Sequence, residues 1–210
     1  MIVHGFEYAI NKDGVLQQVN PEIIKYDFDY ILDRYGNIPD KRANMSHLRF
    51  AYMMGCIGKP YKLLEIGYGA GDFIKLCADS GIECLGHDIT GIPTPQGVQY
   101  TESIYDHVDV VCMFDVLEHF EDINFIKNLN TQFVYVSVPN CSMPNDLGYL
   151  TYAYPHLRPN EHLHHFNAES LVKHFRRNGY ILKAMSNVED IIRKRPNIDI
   201  NIISAIFVKE

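Results

Sequence analysis

The sequence predicts an α/β fold built on a parallel sheet, and three observations carry that expectation. Short apolar runs alternate with helical patterns: a strand at 61–66, a helix from 72, strands at 82–87 and near Val98, a strand at 108–113, a helix near 118–128 and a strand at 132–138. Alternation of this kind implies parallel strands joined by right-handed crossovers. The first of these strands runs straight into a glycine-rich turn, Glu65-Ile66-Gly67-Tyr68-Gly69-Ala70-Gly71, and the second ends in an acid, Asp88. At 210 residues and 47% hydrophobic, the chain is long enough to bury one full core and too short for two of ordinary size.

Ahead of the alternating part, residues Ile2 to Val19 alternate in polarity around Asn11-Lys12-Asp13-Gly14, which predicts a hairpin turning at Asp13-Gly14. Ile23, Ile24, Phe28, Tyr30 and Ile31, followed by Leu48, Phe50, Ala51, Met53 and Met54, predict two helices separated by Gly36-Asn37-Ile38-Pro39. Residues 1–58 are therefore expected to form a hairpin and helical cover, and residues 59–210 the main domain. Asn167 is placed to cap a helix from Ala168 to Asn178, with Glu169 in its first turn and Gly179 at its end. Two apolar segments, Tyr180 to Met185 and Ile200 to Val208, remain as strands. The stretch from Cys141 to Asn160 is rich in aromatic and turn residues and longer than most connections, which points to a lid or to a short helix within it.

Composition narrows the class. No apolar run reaches the roughly 20 residues needed to span a bilayer, and Met1-Ile2-Val3-His4-Gly5 lacks the basic segment of a signal peptide, so a soluble cytoplasmic protein is expected. Cys56, Cys77, Cys84, Cys112 and Cys141 show no CxxC spacing and read as core thiols. A formal net charge of -7 opposes a long polyanion, which makes nucleic acid an unfavoured substrate and a small molecule the expected one. The cluster Arg193-Lys194-Arg195 reads most simply as the solvated face of a helix.

The glycine turn carries the first chemical signal. Glycines there permit positive φ and let a ligand approach the backbone without meeting a Cβ. The dinucleotide fingerprint GxGxxG fails, because Asp72 stands where its third glycine belongs. Glu65 and Asp72 would also repel a pyrophosphate, whereas a nucleoside bearing a sulfonium and an ammonium is attracted by both. Asp88, at the end of the second strand, stands where a carboxylate reaches ribose hydroxyls, though an acid can also end a strand by meeting solvent.

With the turn, Asp88 and the stretch Phe114-Asp115-Val116-Leu117-Glu118-His119 in view, the chain resembles the class I S-adenosylmethionine-dependent methyltransferases, in particular the group with a Leu-Glu-His element after the fourth strand. The resemblance runs from about Tyr61 to Gly179. It implies a Rossmann-like doubly wound sheet, mostly parallel, with the last strand antiparallel beside its predecessors. It implies S-adenosylmethionine as cofactor, with Glu65, Gly67, Gly69, Gly71, Asp88, Ile89 and Phe114 as the candidate contacts. Asp115, Glu118 and His119 fall at spacings of three and four, on one face of a helical turn. This trio resembles the acid and histidine cluster that holds a divalent metal in some O-methyltransferases, including those acting on the 2′-hydroxyl of small-RNA ends. In many relatives, by contrast, the element only orients the start of a helix. The chain lacks the Asn/Asp-Pro-Pro-Tyr/Phe element of base-amino DNA methyltransferases.

Glu161-His162-Leu163-His164-His165-Phe166 adds three histidines, and a neutral imidazole with an ordinary pKa of about 6.5 suits removal of a hydroxyl proton. His165, His162 and His119 are the candidate catalytic residues, against the alternative that alternation simply packs some of them. The expected function is methyl transfer to a small-molecule acceptor, at oxygen. Two other functions stay open: metal-assisted 2′-O-methylation of an RNA terminus, and a cofactor-binding module without catalysis.

Overall fold

The computed structural model describes residues 1–27, 39–196 and 198–210. Its main sheet has seven strands: β4 (Lys62–Ile66), β5 (Glu83–His87), β6 (Val98–Tyr100), β7 (Val108–Phe114), β8 (Thr131–Pro139), β10 (Tyr180–Ser186) and β11 (Ile202–Lys209). Their spatial order is β10-β11-β8-β7-β4-β5-β6. Strands β4 through β8 pair in parallel, and β11 is inserted antiparallel between β8 and β10. This is the Rossmann-like doubly wound sheet that the sequence implied, with its antiparallel last strand.

Successive side chains on each strand face opposite sides of the sheet, and both sides are apolar. Leu64, Val111, Met113, Val134, Val136 and Phe207 build one core, in which Phe175 of helix α4 (Ala168–Arg177) stacks on Phe207 with ring centroids 3.9 Å apart. Leu63, Val110, Cys112, Tyr135 and Ile206 face the other way, under helices α1 (Pro39–Ile57) and α2 (Asp72–Asp79), which contribute Met53, Phe73, Ile74 and Cys77. Cys77, Cys84, Cys112 and Cys141 are buried in these cores and Cys56 is half-buried; all five are free thiols. No helix among the described residues is long and apolar enough to cross a membrane.

A second, four-stranded antiparallel sheet combines β1 (Ile2–Val3), β2 (Phe6–Ile10), β3 (Leu16–Gln18) and β9 (His164–His165). The hairpin between β2 and β3 turns where the sequence places it, with the Asn11 side chain accepting from the amides of Asp13 and Val15. It does not stand apart from the main domain, because β3 pairs with β9 through Leu16↔His165 and Gln17↔His164. Of the two helices expected between residues 21 and 58, only α1 lies among the described residues. Residues 21–27 carry no regular structure, and the remainder of the first helix and its Gly36-Asn37-Ile38 separator lie outside them.

The helix expected near 118–128 is instead two 3₁₀ turns, Leu117–His119 and Ile123–Asn128. Extended residues at Phe120 and Asp122 break the run, and the Asp122 carboxylate accepts from the Asn124 amide to start the second turn. The stretch after β8 holds a short helix, α3 (Leu147–Tyr152), capped by Asp146. The cap at Asn167 is present as expected: its side chain accepts from the Ser170 amide at 2.8 Å, while Ser170 Oγ accepts from the Asn167 amide.

Asp13, in the hairpin turn, accepts hydrogen bonds from Arg177 and faces His174 Nδ1 at 2.9 Å, fastening the hairpin to α4. Burial pushes the Asp13 carboxyl up, but the hydrogen bonds from Arg177 and His174 outweigh it and hold the group below its ordinary value. Asp13→Asn is therefore expected to lower the unfolding free energy by about 1–3 kcal/mol in urea titrations at neutral pH. An acid with a depressed folded-state pKa stabilises above its unfolded value, so the difference between variant and wild type should shrink as pH falls below about 4.

Candidate active site

The functional groups gather at the C-terminal ends of β4 and β7, around a cavity of about 310 Å³. Its wall comes from α1 (Lys41, Arg42, Met45, Ser46, Arg49), the glycine turn, the end of β7 (Phe114, Asp115) and His119, with His156, Arg158, His162, Arg193 and Arg195 from later in the chain. Such a position, outside the carboxyl ends of parallel strands, is where open α/β sheets bind ligands.

The turn is shaped by its glycines. Gly67, Gly69 and Gly71 all have positive φ, and a Cβ on Gly67 or Gly71 would come within 2.4 Å of Val116 or Pro95, respectively. The Gly67 amide donates to the His87 carbonyl (2.7 Å), the Gly69 amide to Asp88 Oδ2 (2.8 Å) and the Gly71 amide to the Tyr68 carbonyl (2.8 Å). The three glycine amides are thus satisfied within the protein. Glu65, at the end of β4, is buried, and its Oε2 has no hydrogen-bond partner. Burial, supplemented by the Asp88 charge, pushes its carboxyl well above the ordinary range against the pull of Arg49. A cation bound here would satisfy that oxygen, so the residues present fit the amino-acid end of S-adenosylmethionine.

Asp88 is buried at the end of β5, where its carboxylate braces the turn through Gly69 and caps Thr90 through the amide (2.9 Å) and hydroxyl (2.5 Å). Ile89, next to it, is 71% exposed. Phe114 is in the wall, packed edge-on to Phe73 with centroids 4.8 Å apart, and the Arg49 guanidinium carbon sits 4.2 Å above its ring.

Asp115, Glu118 and His119 do not converge as a helical turn would bring them. Asp115 has a φ of 54°, a left-handed conformation, and precedes the 3₁₀ turn. Its carboxylate is held in a fork by Arg193, at 2.6 and 2.9 Å. Glu118 and His119 instead meet His162, with one ligand-type atom from each within 4.8 Å of the others. Both Glu118 oxygens are buried without a hydrogen-bond partner, and burial, with the nearby Asp115 charge, raises this carboxyl well above its ordinary value. His119 Nδ1 lies 2.7 Å from the Glu161 carbonyl oxygen, which can only accept; Nδ1 therefore carries the proton and Nε2 the lone pair. Tyr26 Oη, at 2.7 Å, shares that contact. Carboxylate plus two imidazoles is a donor set that suits a divalent transition metal.

His162 also lines the cavity, and burial together with the other histidines lowers its pKa well below the ordinary value. His165 lies behind the wall, 1% exposed, edge-on to Tyr154, with burial lowering its pKa to about 3. His164 is likewise buried in β9.

Several site residues escaped the sequence reading. Glu189, fully buried at the start of α5 (Asp190–Arg193), accepts from Arg49 Nε at 2.8 Å and Arg193 at 2.9 Å. Burial raises both Glu189 and Asp115, but the two arginines outweigh it and hold both carboxyls below their ordinary values. The cluster Arg193-Lys194-Arg195 is thus not a plain solvated face, since Arg193 turns inward and Arg195 enters the cavity wall. The α1 contribution left only a weak trace, the spacing of Lys41, Met45 and Arg49 by four.

Residues 18–183 match the methyltransferase-domain family. The chain belongs to that family and is a class I S-adenosylmethionine-dependent methyltransferase. No curated protein sequence matches it. Among solved structures it is similar to the Burkholderia thailandensis 1,6-didemethyltoxoflavin-N1-methyltransferase with bound 1,6-didemethyltoxoflavin and S-adenosylhomocysteine, at 13% identity and a TM-score of 0.60, covering 97% of this chain and 99% of that one. It is also similar to the magnesium protoporphyrin IX methyltransferase of Synechocystis with bound S-adenosylhomocysteine, at 13% identity and 0.56, covering 90% of each chain. The methyltransferase domain of bacterial CtHen1-C matches at 15% identity and 0.54, covering 80% of this chain and 98% of that one. At these identities the likeness is one of fold.

Gly67→Ala is expected to cost about 2–4 kcal/mol, since it adds the penalty of a left-handed alanine to overpacking against Val116, and to weaken S-adenosylhomocysteine binding in calorimetry. Glu189→Gln, which leaves two arginines around an uncharged buried partner, is expected to lower the unfolding free energy by about 3–5 kcal/mol in urea titrations.

Proposed function

We propose that the protein transfers a methyl group to an oxygen of a small-molecule acceptor. The observation that carries this reading is that one cavity joins the glycine turn and Glu65 to His162, a buried imidazole kept neutral by its surroundings. In this reading Glu65 and the backbone of Gly67, Gly69 and Gly71 hold the methionine portion of the cofactor. Asp88 serves the ribose, and Ile89 and Phe114 offer apolar surface to the base. S-adenosylmethionine, when bound, supplies an electrophilic methyl group that needs no acid to leave its sulfur. What remains for the chain is to orient the acceptor hydroxyl, exclude water and take up one proton. His162 accepts that proton, and His119 lies beside it with ring centroids 4.8 Å apart. His165 supports the His162 ring from behind, at a centroid distance of 6.3 Å. The acidic charge of the chain as a whole argues against an RNA acceptor.

A second reading is favoured by the orphaned Glu118 oxygens. Here Glu118, His119 and His162 would hold a divalent cation, which would supply Lewis acidity toward the acceptor hydroxyl, while Asp115 stays with Arg193. Transfer of tritiated methyl from S-adenosylmethionine into a pool of hydroxylated metabolites tests both. The first reading expects incorporation that survives EDTA and falls at least 100-fold in His162→Ala. Incorporation lost in EDTA and restored by Mn²⁺, with a Mn²⁺-dependent rise in thermal midpoint absent from Glu118→Gln, would replace it with the second.

A further inference from the structure

We infer that the acceptor carries an anionic group, a carboxylate or a phosphate, held by Lys41 and Arg195 in the cavity wall; the inference rests on the methyltransferase reading of the same cavity. Six cationic side chains line this cavity: Lys41, Arg42, Arg49, Arg158, Arg193 and Arg195. Four are matched by carboxylates of the chain. Arg42 lies 3.1 Å from Asp72, Arg158 lies 2.9 Å from Glu161, and Arg49 and Arg193 share Asp115 and Glu189. Lys41 and Arg195 have no ion pair or hydrogen bond of their side chains with any described residue. Glu65, the remaining carboxylate of the wall, is driven by burial toward its neutral form and does not offset them.

The surplus is therefore local and uncompensated, in a chain whose formal net charge is -7. Concentrating unmatched positive charge in a concavity of an acidic molecule focuses the field there and favours an anionic occupant. Position adds to sign. Lys41 lies on the same stripe of α1 as Met45 and Arg49, and Arg195 comes from a second segment, just beyond α5. The two thus reach the one cavity from separate elements of the chain. An acceptor whose anionic group sits between them is tethered at one end, leaving its hydroxyl for His119 and His162. Lysine and arginine both bind carboxylate and phosphate, and the sequence of the site does not separate the two.

The test is calorimetric and uses the whole chain. S-adenosylhomocysteine is titrated first, and its failure to bind would remove the methyltransferase reading by itself. Inorganic phosphate, malonate and a short oligoribonucleotide are then titrated separately at constant ionic strength in chloride, with and without S-adenosylhomocysteine. Phosphate or malonate is expected to bind, and whichever is tighter identifies the anion class. Affinity is expected to fall at least 10-fold in Lys41→Ala/Arg195→Ala and to be largely kept in Lys41→Arg. Lys41→Glu, checked for folding by its thermal midpoint, is expected to abolish binding. Phosphate and malonate that bind no better than chloride, or equally well to the double alanine variant, would overturn the inference. Tighter binding of the oligoribonucleotide would overturn it as well.

Discussion

Two arginines and two carboxylates, Arg49 with Arg193 and Asp115 with Glu189, cross-link the elements that surround the cavity. Arg49 comes from α1, Arg193 and Glu189 from the α5 region, and Asp115 from the end of β7, so the network directly pairs residues up to 140 apart in sequence. Withdrawing these charges from water is costly, and only their mutual pairing offsets that cost. Each member is thus held in place by the rest. Arg49 is further fixed above the Phe114 ring, so the wall beside the glycine turn and the wall beside the histidines are positioned by one set of interactions.

Asp115 pairs with Arg193 from a left-handed backbone. With Asp115 paired to Arg193, Glu118 meets two imidazoles, His119 and His162. The second sheet supports that arrangement from behind: β3 holds β9 by its backbone, and the Glu118 carbonyl accepts from the Leu163 amide at 2.8 Å. The N-terminal hairpin, which the sequence sets apart from the catalytic domain, thus contributes directly to the placement of the histidine segment.

What could be read from the chain was local. Strand periodicity located β4, β5, β7 and β8 to within a residue or two, the Asn167 cap and Gly179 bounded α4, and the spacing of Gly67, Gly69 and Gly71 marked a turn of positive φ. What escaped depended on distant partners. Asp115, Glu118 and His119 share the spacing of a helical turn, but the Asp115 carboxylate pairs instead with Arg193, 78 residues later. His162 joins Glu118 and His119 through tertiary packing, which no spacing encodes. Arg193 lies in a run of basic residues that reads as solvated, yet its buried partners come from two other segments.

The distribution of sulfur has a practical corollary. Burial pushes the Cys84 and Cys141 thiols up to about 12, and Cys77 and Cys112 higher still, so at neutral pH these four hold almost no thiolate and are poor nucleophiles. Cys56 alone is partly open to solvent, and it lies on α1, the helix that carries Lys41 and Arg49. A maleimide fluorophore would accordingly enter at a single position, giving an optical reporter on the helix that flanks the reaction chamber without any engineered cysteine.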